Sequence, residues 1–102
     1  MGKTTERDAL LARRLDLVAN ISALTAEVMR LNQKRAGIEM DVLRMELEIG
    51  KKGAGAQLVQ DLHDAEESAL AIGQACAACQ ERIASAEAGV EDIDRRLAEN
   101  GT

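Results

Sequence analysis

The sequence contains no phenylalanine, tyrosine, tryptophan or proline, and it has only two cysteines and one histidine. A β-sandwich or β-barrel without aromatic side chains would be very unusual, because strands are enriched in aromatic and β-branched residues. Without aromatic rings, the stacking of nucleic-acid bases is also excluded. These absences favour a helical protein whose core is built from Leu, Ile, Val, Met and Ala.

The chain also lacks long apolar runs and a signal peptide. No stretch approaches the roughly 20 apolar residues of a membrane-spanning helix. Two closely spaced cysteines are too few for a disulfide framework and suit a reducing compartment. The formal net charge of -5 disfavours a surface that neutralises nucleic-acid phosphates. We therefore expect a cytoplasmic protein with no membrane association, for which a nucleic acid is a disfavoured partner.

Three local signals divide the 102 residues into two helices within one domain, residues 1–102. Thr5 is a suitable N-cap. Residues 50–55 carry three glycines and two lysines, the strongest turn signal in the chain. Asn100-Gly101 is a suitable helix stop. The sequence predicts helix 1 at about residues 5–49, a Gly/Lys turn at 50–55 and helix 2 at about 56–99.

Apolar residues recur at alternating spacings of three and four along both predicted helices, as in a coiled coil. The seam of helix 1 comprises Leu10, Arg14, Leu17, Ile21, Leu24, Val28, Leu31, Arg35, Ile38, Val42, Met45 and Ile49. The seam of helix 2 comprises Leu58, Leu62, Ala65, Ala69, Ile72, Cys76, Cys79, Ile83, Ala86, Val90, Ile93 and Leu97. Of these 24 positions, 22 are apolar, where the overall composition would give about 11.

The two seams match each other when the chain is folded at the glycine turn. Ile49 then faces Leu58 near the turn, and Leu10 faces Leu97 at the other end. No slip or insertion is needed between these layers, and each joins an a position to a d position. The predicted fold class is therefore all-α, a long antiparallel helical hairpin of the coiled-coil type.

Two arginines interrupt the seam of helix 1. Arg14 faces Ile93 in this register, so its side chain can reach the neighbouring Asp94. Arg35 has no evident acidic partner within the hairpin, and we expect it to pair with a glutamate of a second chain. Polar residues at seam positions set register and oligomeric state at a cost in stability.

Further apolar residues lie beside the seam of helix 1 rather than on it. They are Leu11, Leu15, Val18, Met29, Leu43 and Leu47. An apolar stripe wider than the a and d positions is typical of helix bundles. We expect these residues to form an interaction surface for a second copy or for another, unidentified protein. The first case gives a homodimer that forms a four-helix bundle.

The Cys76-Ala77-Ala78-Cys79 segment is the sharpest local motif. It lies about five turns inside helix 2, so the activation of a thiol by a helix N-terminus is missing. The simplest interpretation is that both cysteines are small buried hydrophobes. Alternatively, Cys76 and Cys79 of two chains meet across a two-fold axis as metal ligands or as disulfides. His63 lies about 20 Å from Cys76 along the helix and cannot share that metal.

These patterns predict a non-enzymatic coiled-coil protein–protein interaction module, such as an adaptor, an assembly factor or a small chaperone. No catalytic spacing or cofactor-binding loop is present, so we expect no enzyme, no cofactor and no small-molecule substrate. The alternative is a thiol-based metal-binding or redox-sensing bundle that uses Cys76 and Cys79.

A third hypothesis is an RNA-binding regulator, because the predicted hairpin resembles Rop in its architecture. The resemblance is confined to that architecture, since the predicted helices are longer and no motif is shared. The basic residues that would have to bind RNA form no continuous stripe: Lys34, Arg35, Arg44, Lys51 and Lys52.

Overall fold

The computed structural model describes residues 5–100, which form two α-helices joined by a short loop. Helix α1 spans Glu6–Lys52 and helix α2 spans Ala56–Asn100. No strand occurs within residues 5–100. The predicted all-α class is therefore confirmed. Gly101, the second residue of the predicted stop signal, lies outside the described residues.

Helix α1 begins as the sequence predicts. The backbone N–H of Asp8 donates a hydrogen bond to Thr5 Oγ1 at 3.1 Å, so the Thr5 side chain caps the helix. Glu6 and Asp8 place negative charge in the first turn, where it complements the positive end of the helix dipole.

The end of α1 differs from the prediction. The helix continues to Lys52, three residues beyond the expected end at residue 49, so Gly50 and Lys51 are helical. It stops at Gly53, whose φ is 88° and whose N–H donates to the carbonyl of Ile49 at 2.9 Å. This is a left-handed cap, which glycine adopts without a Cβ penalty. One glycine at the cap position thus ends the helix, and the loop shrinks to residues 53–55.

The described residues group into two compact units, and each unit contains a segment of both helices. Unit 1 comprises residues 5–27 and 79–100, and unit 2 comprises residues 28–78. Unit 2 includes the loop and is a helical hairpin. The two segments of unit 1 also run antiparallel, as the contacts below show.

Contacts within unit 1 follow the predicted register. Arg14 Nε donates to Asp94 Oδ1 at 2.7 Å, as expected for an arginine opposite Ile93. Leu17 Cδ1 lies 3.0 Å from the position that a Cβ at Gly89 would occupy. The predicted register places Val90 opposite Leu17, and Gly89 is the residue next to Val90. The two segments therefore have the predicted alignment.

Unit 2 has the same register. Cys76 Sγ lies 3.5 Å from Asn32 Oδ1, next to the predicted Leu31–Cys76 layer. The guanidinium carbon of Arg35 lies 3.5 Å from the position that a Cβ at Gly73 would occupy. The prediction that Arg35 has no acidic partner within the hairpin is wrong, because its Nε donates to Glu39 of its own helix at 3.0 Å. Glu39 lies four residues after Arg35 on α1, so this ion pair forms within one helix. The register between the two helices does not reveal it.

The predicted seam is the core of both units. Of its 24 positions, 23 are buried or half-buried, and Arg35 is the exception. The most buried side chains, at 5% to 9% exposure, are Leu10, Leu24, Ile72, Cys76, Ala86 and Ile93. No large side chain among the described residues is less than 2% exposed. The core is therefore one narrow seam between two helices.

Candidate interaction surface

The off-seam apolar residues of α1 are all exposed. The exposed fractions of these six side chains run from 41% to 70%: Leu11, Leu15, Val18, Met29, Leu43 and Leu47. Three further exposed apolar residues were missed from the sequence, namely Met40, Val59 and Leu70. Val59 and Leu70 directly follow the seam residues Leu58 and Ala69. Leu43, which follows the seam residue Val42, was identified by the same spacing. Val59 and Leu70 were therefore predictable from the sequence.

In unit 2 one of these residues, Leu43, lines a groove that both helices border. The groove has a volume of about 360 Å³ and is lined by Glu39, Val42, Leu43, Glu66 and Ala69. We define the Leu43 face as Leu43 together with four other exposed apolar residues of unit 2. Met40 and Leu47 lie three and four residues from Leu43 on α1, Leu70 follows Ala69 on α2, and Val59 lies two turns before Glu66 on α2. Each of these five side chains is at least 45% exposed.

The border of this groove is acidic. Glu39 lies on α1 and Glu66 on α2, and no lysine or arginine is among the residues that line the groove. Glu39 is paired with Arg35, as described above. On α2, Glu67 Oε1 lies 3.3 Å from His63 Nε2 across one helical turn, and both side chains are exposed. The Leu43 face thus combines an apolar centre with carboxylates from both helices.

Unit 1 carries a smaller apolar stripe, formed by Leu11, Leu15 and Val18 along α1. The main electrostatic feature of the unit is the ion pair between Arg14 and Asp94. The hydrogen bond from Arg14 holds the pKa of Asp94 below its usual value, and the same bond raises the pKa of Arg14. A negative charge on Asp94 is therefore favoured in the folded chain.

Both cysteines lie at seam positions of α2, where the two helices pack. Cys76 is 5% exposed, Cys79 is half-buried, and both are free thiols. The Cys76 thiol donates to Asn32 Oδ1, so its polar hydrogen has a partner. Among residues 5–100, no group of three or more His, Cys, Asp or Glu side chains is arranged to hold a metal ion. A metal site at Cys76 and Cys79 would need thiols from a second copy, and it stays a prediction.

Comparison of the chain with protein-family models, with curated proteins and with solved structures gave no match. Within the described residues, neither helix has a segment apolar enough to cross a membrane.

Proposed function

We propose that the chain is a non-enzymatic helical interaction module that binds other helices through its exposed faces, as an adaptor, assembly factor or small chaperone does. The Leu43 face is the observation that carries this proposal. Leu43 is 55% exposed and lines a groove with an apolar floor. Met40 and Leu47, three and four residues from Leu43 on the same helix face, are 67% and 64% exposed. Contiguous exposed apolar side chains with a polar border are typical of protein–protein interaction sites.

The proposed occupant of this face is a second copy of the chain, which gives a homodimer with a four-helix bundle. The chain exposes 7454 Å² of surface. A compact monomer of 10.9 kDa is expected to expose about 5,600 Å². A pair of helices exposes more surface than a compact monomer does, and the excess of about 1,900 Å² per chain is enough to hold an interface of the size that a permanent homodimer buries on each partner.

The narrow core supports the same assembly. A seam of two helices leaves Val42 and Leu43 in contact with an open groove, and it provides no fully buried large side chain among residues 5–100. Small chains often complete such a core by oligomerisation. Burying apolar surface at about 25 cal/mol per Å² then supplies the driving force for association.

Sedimentation velocity of the wild type and of a Leu43→Gln/Leu47→Gln variant tests this proposal. We expect a wild-type dimer and a variant whose dimer dissociation constant is at least about tenfold larger, since four leucine side chains per dimer lose apolar contact. Lys34→Gln, a polar change at an exposed position of unit 2, is the matched control. A monomeric wild type, or a variant that dimerises as the wild type does, would contradict the assignment.

A second experiment, treatment with reductant and chelator, separates this proposal from the thiol-based alternative. Reductant and chelator should leave the wild-type dimer intact, because apolar contacts hold it together. In the alternative, metal or disulfide bonds at Cys76 and Cys79 hold the copies, and both reagents together would dissociate them. Native mass spectrometry reports subunit number, metal and disulfide linkage in one spectrum. The free thiols suit the reducing, cytoplasmic location that belongs to this proposal.

A further inference from the structure

Three arginines of unit 1 lack carboxylate partners, and two of them line one groove. The paired arginines of this unit are Arg14, which bonds Asp94, and Arg95 and Arg96, which both bond Asp92. Arg7, Arg13 and Arg82, in contrast, form no ion pair with any residue among 5–100. In a chain with 18 acidic and 13 basic residues, two free guanidinium groups in one place call for an explanation.

Arg13 and Arg82 line the same groove, which has a volume of about 270 Å³. Asn20 and Ser85 add an amide and a hydroxyl group to its lining, which holds no carboxylate. The adjoining groove, which shares Arg13, holds Glu6 and Asp92, so Arg82 lies at the end farther from acidic residues. Arg13 and Asn20 are seven residues apart on α1, which places them on one stripe of the helix, two turns apart. The polar groups of this groove are therefore two positively charged guanidinium groups, one neutral amide and one hydroxyl group.

The apolar part of the groove is formed by Leu17, Ala86 and Gly89. Gly89 is what lets the two helices approach here, because Leu17 Cδ1 lies 3.0 Å from the position that a Cβ would occupy. A larger residue at 89 would displace Leu17. The groove is thus a built feature of this helix pair, with an apolar floor beside two arginines.

Guanidinium groups bind carboxylate and phosphate oxygens through paired N–H donors. The net charge of -5 and the absence of aromatic residues disfavour a nucleic acid, whose phosphates are densely charged and whose bases need stacking partners. A helix with carboxylates along one edge and small apolar side chains along another matches both the arginines and the floor. Charge complementarity therefore favours a protein ligand.

We propose that the groove formed by Arg13 and Arg82 binds an acidic helical segment of a partner protein. This inference rests on the proposed function as a helix-binding module. It does not rest on the dimer, since none of the residues of the Leu43 face lines this groove. The chain would then bind a second copy through unit 2 and an acidic partner through unit 1.

Fluorescence anisotropy with a defined probe tests the inference. The probe is a labelled alanine-rich helical peptide of about 20 residues that carries glutamates along one face, and its control carries glutamines instead. We expect the glutamate peptide to bind wild type more tightly than the glutamine peptide. For Arg13→Gln/Arg82→Gln we expect a dissociation constant at least about fivefold larger, given the usual strength of exposed ion pairs. Lys34→Gln/Arg44→Gln makes the same change of net charge in unit 2 and should bind as the wild type does.

The arginine Nε–Hε signals in ¹⁵N NMR spectra locate the bound peptide. Shifts at Arg13 and Arg82 on adding the glutamate peptide support the proposal. It would be overturned by equal binding of the two peptides, by unchanged binding to the Arg13→Gln/Arg82→Gln variant, or by shifts confined to other arginines. Sedimentation of the same samples keeps the two proposals apart. Loss of peptide binding by an intact dimer contradicts only the groove, and peptide binding by a monomer contradicts only the dimer.

Discussion

Single residues decide how this helix pair accommodates charge within its seam. Arg14 extends across to Asp94 on α2, whereas Arg35 stays on its own helix with Glu39 and covers Gly73. The partner of Arg14 was predictable, because the register places Asp94 next to the opposing residue. The position of Arg35 depends on the space that a glycine leaves on the other helix, which sequence spacing does not reveal.

The Arg14–Asp94 pair predicts a specific acid sensitivity. Because the pKa of Asp94 is lowered in the folded chain, the pair stabilises the fold above the ordinary aspartate pKa of about 3.9. This contribution is lost as the pH falls from that value through the folded pKa. Thermal denaturation between pH 7 and pH 3, followed by circular dichroism, should show a shallower acid-side loss of Tm for Asp94→Asn than for wild type.

Asp16→Asn is the control for this experiment, since it removes an exposed aspartate of unit 1 that pairs with no described residue. Its acid-side slope should match that of the wild type. Identical pH profiles for Asp94→Asn and wild type would mean that the Arg14–Asp94 bond contributes nothing measurable in solution. Asp92 keeps its own lowered pKa, caused by the hydrogen bond from Arg95 and then by Arg96, in every variant.

At the scale of the elements, the boundary between α1 and the loop was the least predictable feature. A cluster of glycines marks the place where the chain turns, but it does not say which glycine ends the helix. Gly53 does so with a φ of 88°, whereas Gly50 lies within α1. Lys51 and Lys52 then form the last turn, where cations complement the helix dipole. The choice is made by the backbone conformation of Gly53, which the sequence does not distinguish from that of Gly50.

Substituting these two glycines in turn tests the boundary. Gly50→Ala should stabilise the chain by about 0.5–1 kcal/mol, because alanine favours a helix interior and nothing lies within 4 Å of its Cβ position. Gly53→Ala should destabilise it by about 1–2 kcal/mol, because an L residue is strained at positive φ. Chemical denaturation monitored by circular dichroism gives both values. A loop that begins at residue 50 would instead make Gly50→Ala neutral or destabilising.

On the scale of the whole molecule, two surfaces of different chemistry are available for binding. The Leu43 face of unit 2 is apolar with a glutamate from each helix at its groove, and the groove of unit 1 presents two free arginines. In the proposed dimer, association through the first surface is driven by apolar burial and opposed by like charges, while the proposed binding of an acidic helix to the second is driven by opposite charges. The two kinds of association should therefore respond to salt in opposite directions.

Salt dependence is the measurement that follows. Raising NaCl from low concentration to well above 0.1 M shortens the Debye length below about 10 Å and screens the carboxylates of two facing copies. We expect the dimer dissociation constant to fall, whereas the dissociation constant of the acidic peptide should rise. Sedimentation equilibrium and anisotropy on one protein stock measure both. Weaker dimerisation at high salt would show that ion pairs between the copies, rather than apolar contacts, hold the interface.

The sequence alone was sufficient for the all-α class, the seam, the register of each unit and the N-cap at Thr5. These features follow from local rules, namely the spacing of apolar residues and the chemistry of a helix end. It was also sufficient to place Leu11, Leu15, Val18, Met29, Leu43 and Leu47 outside the seam, and all six are exposed.

Only the tertiary structure decided the partner of Arg35, the end of α1 at Lys52 and the groove between Arg13 and Arg82. The position of Arg35 and the groove depend on the space left by Gly73 and Gly89, and the end of α1 depends on the positive φ of Gly53. Gly89, for example, looks like any other small residue of α2 until Leu17 is seen packed 3.0 Å from its absent Cβ. Periodicity identifies the face of a helix that packs, whereas the shape of the packed surface depends on the residues that meet there.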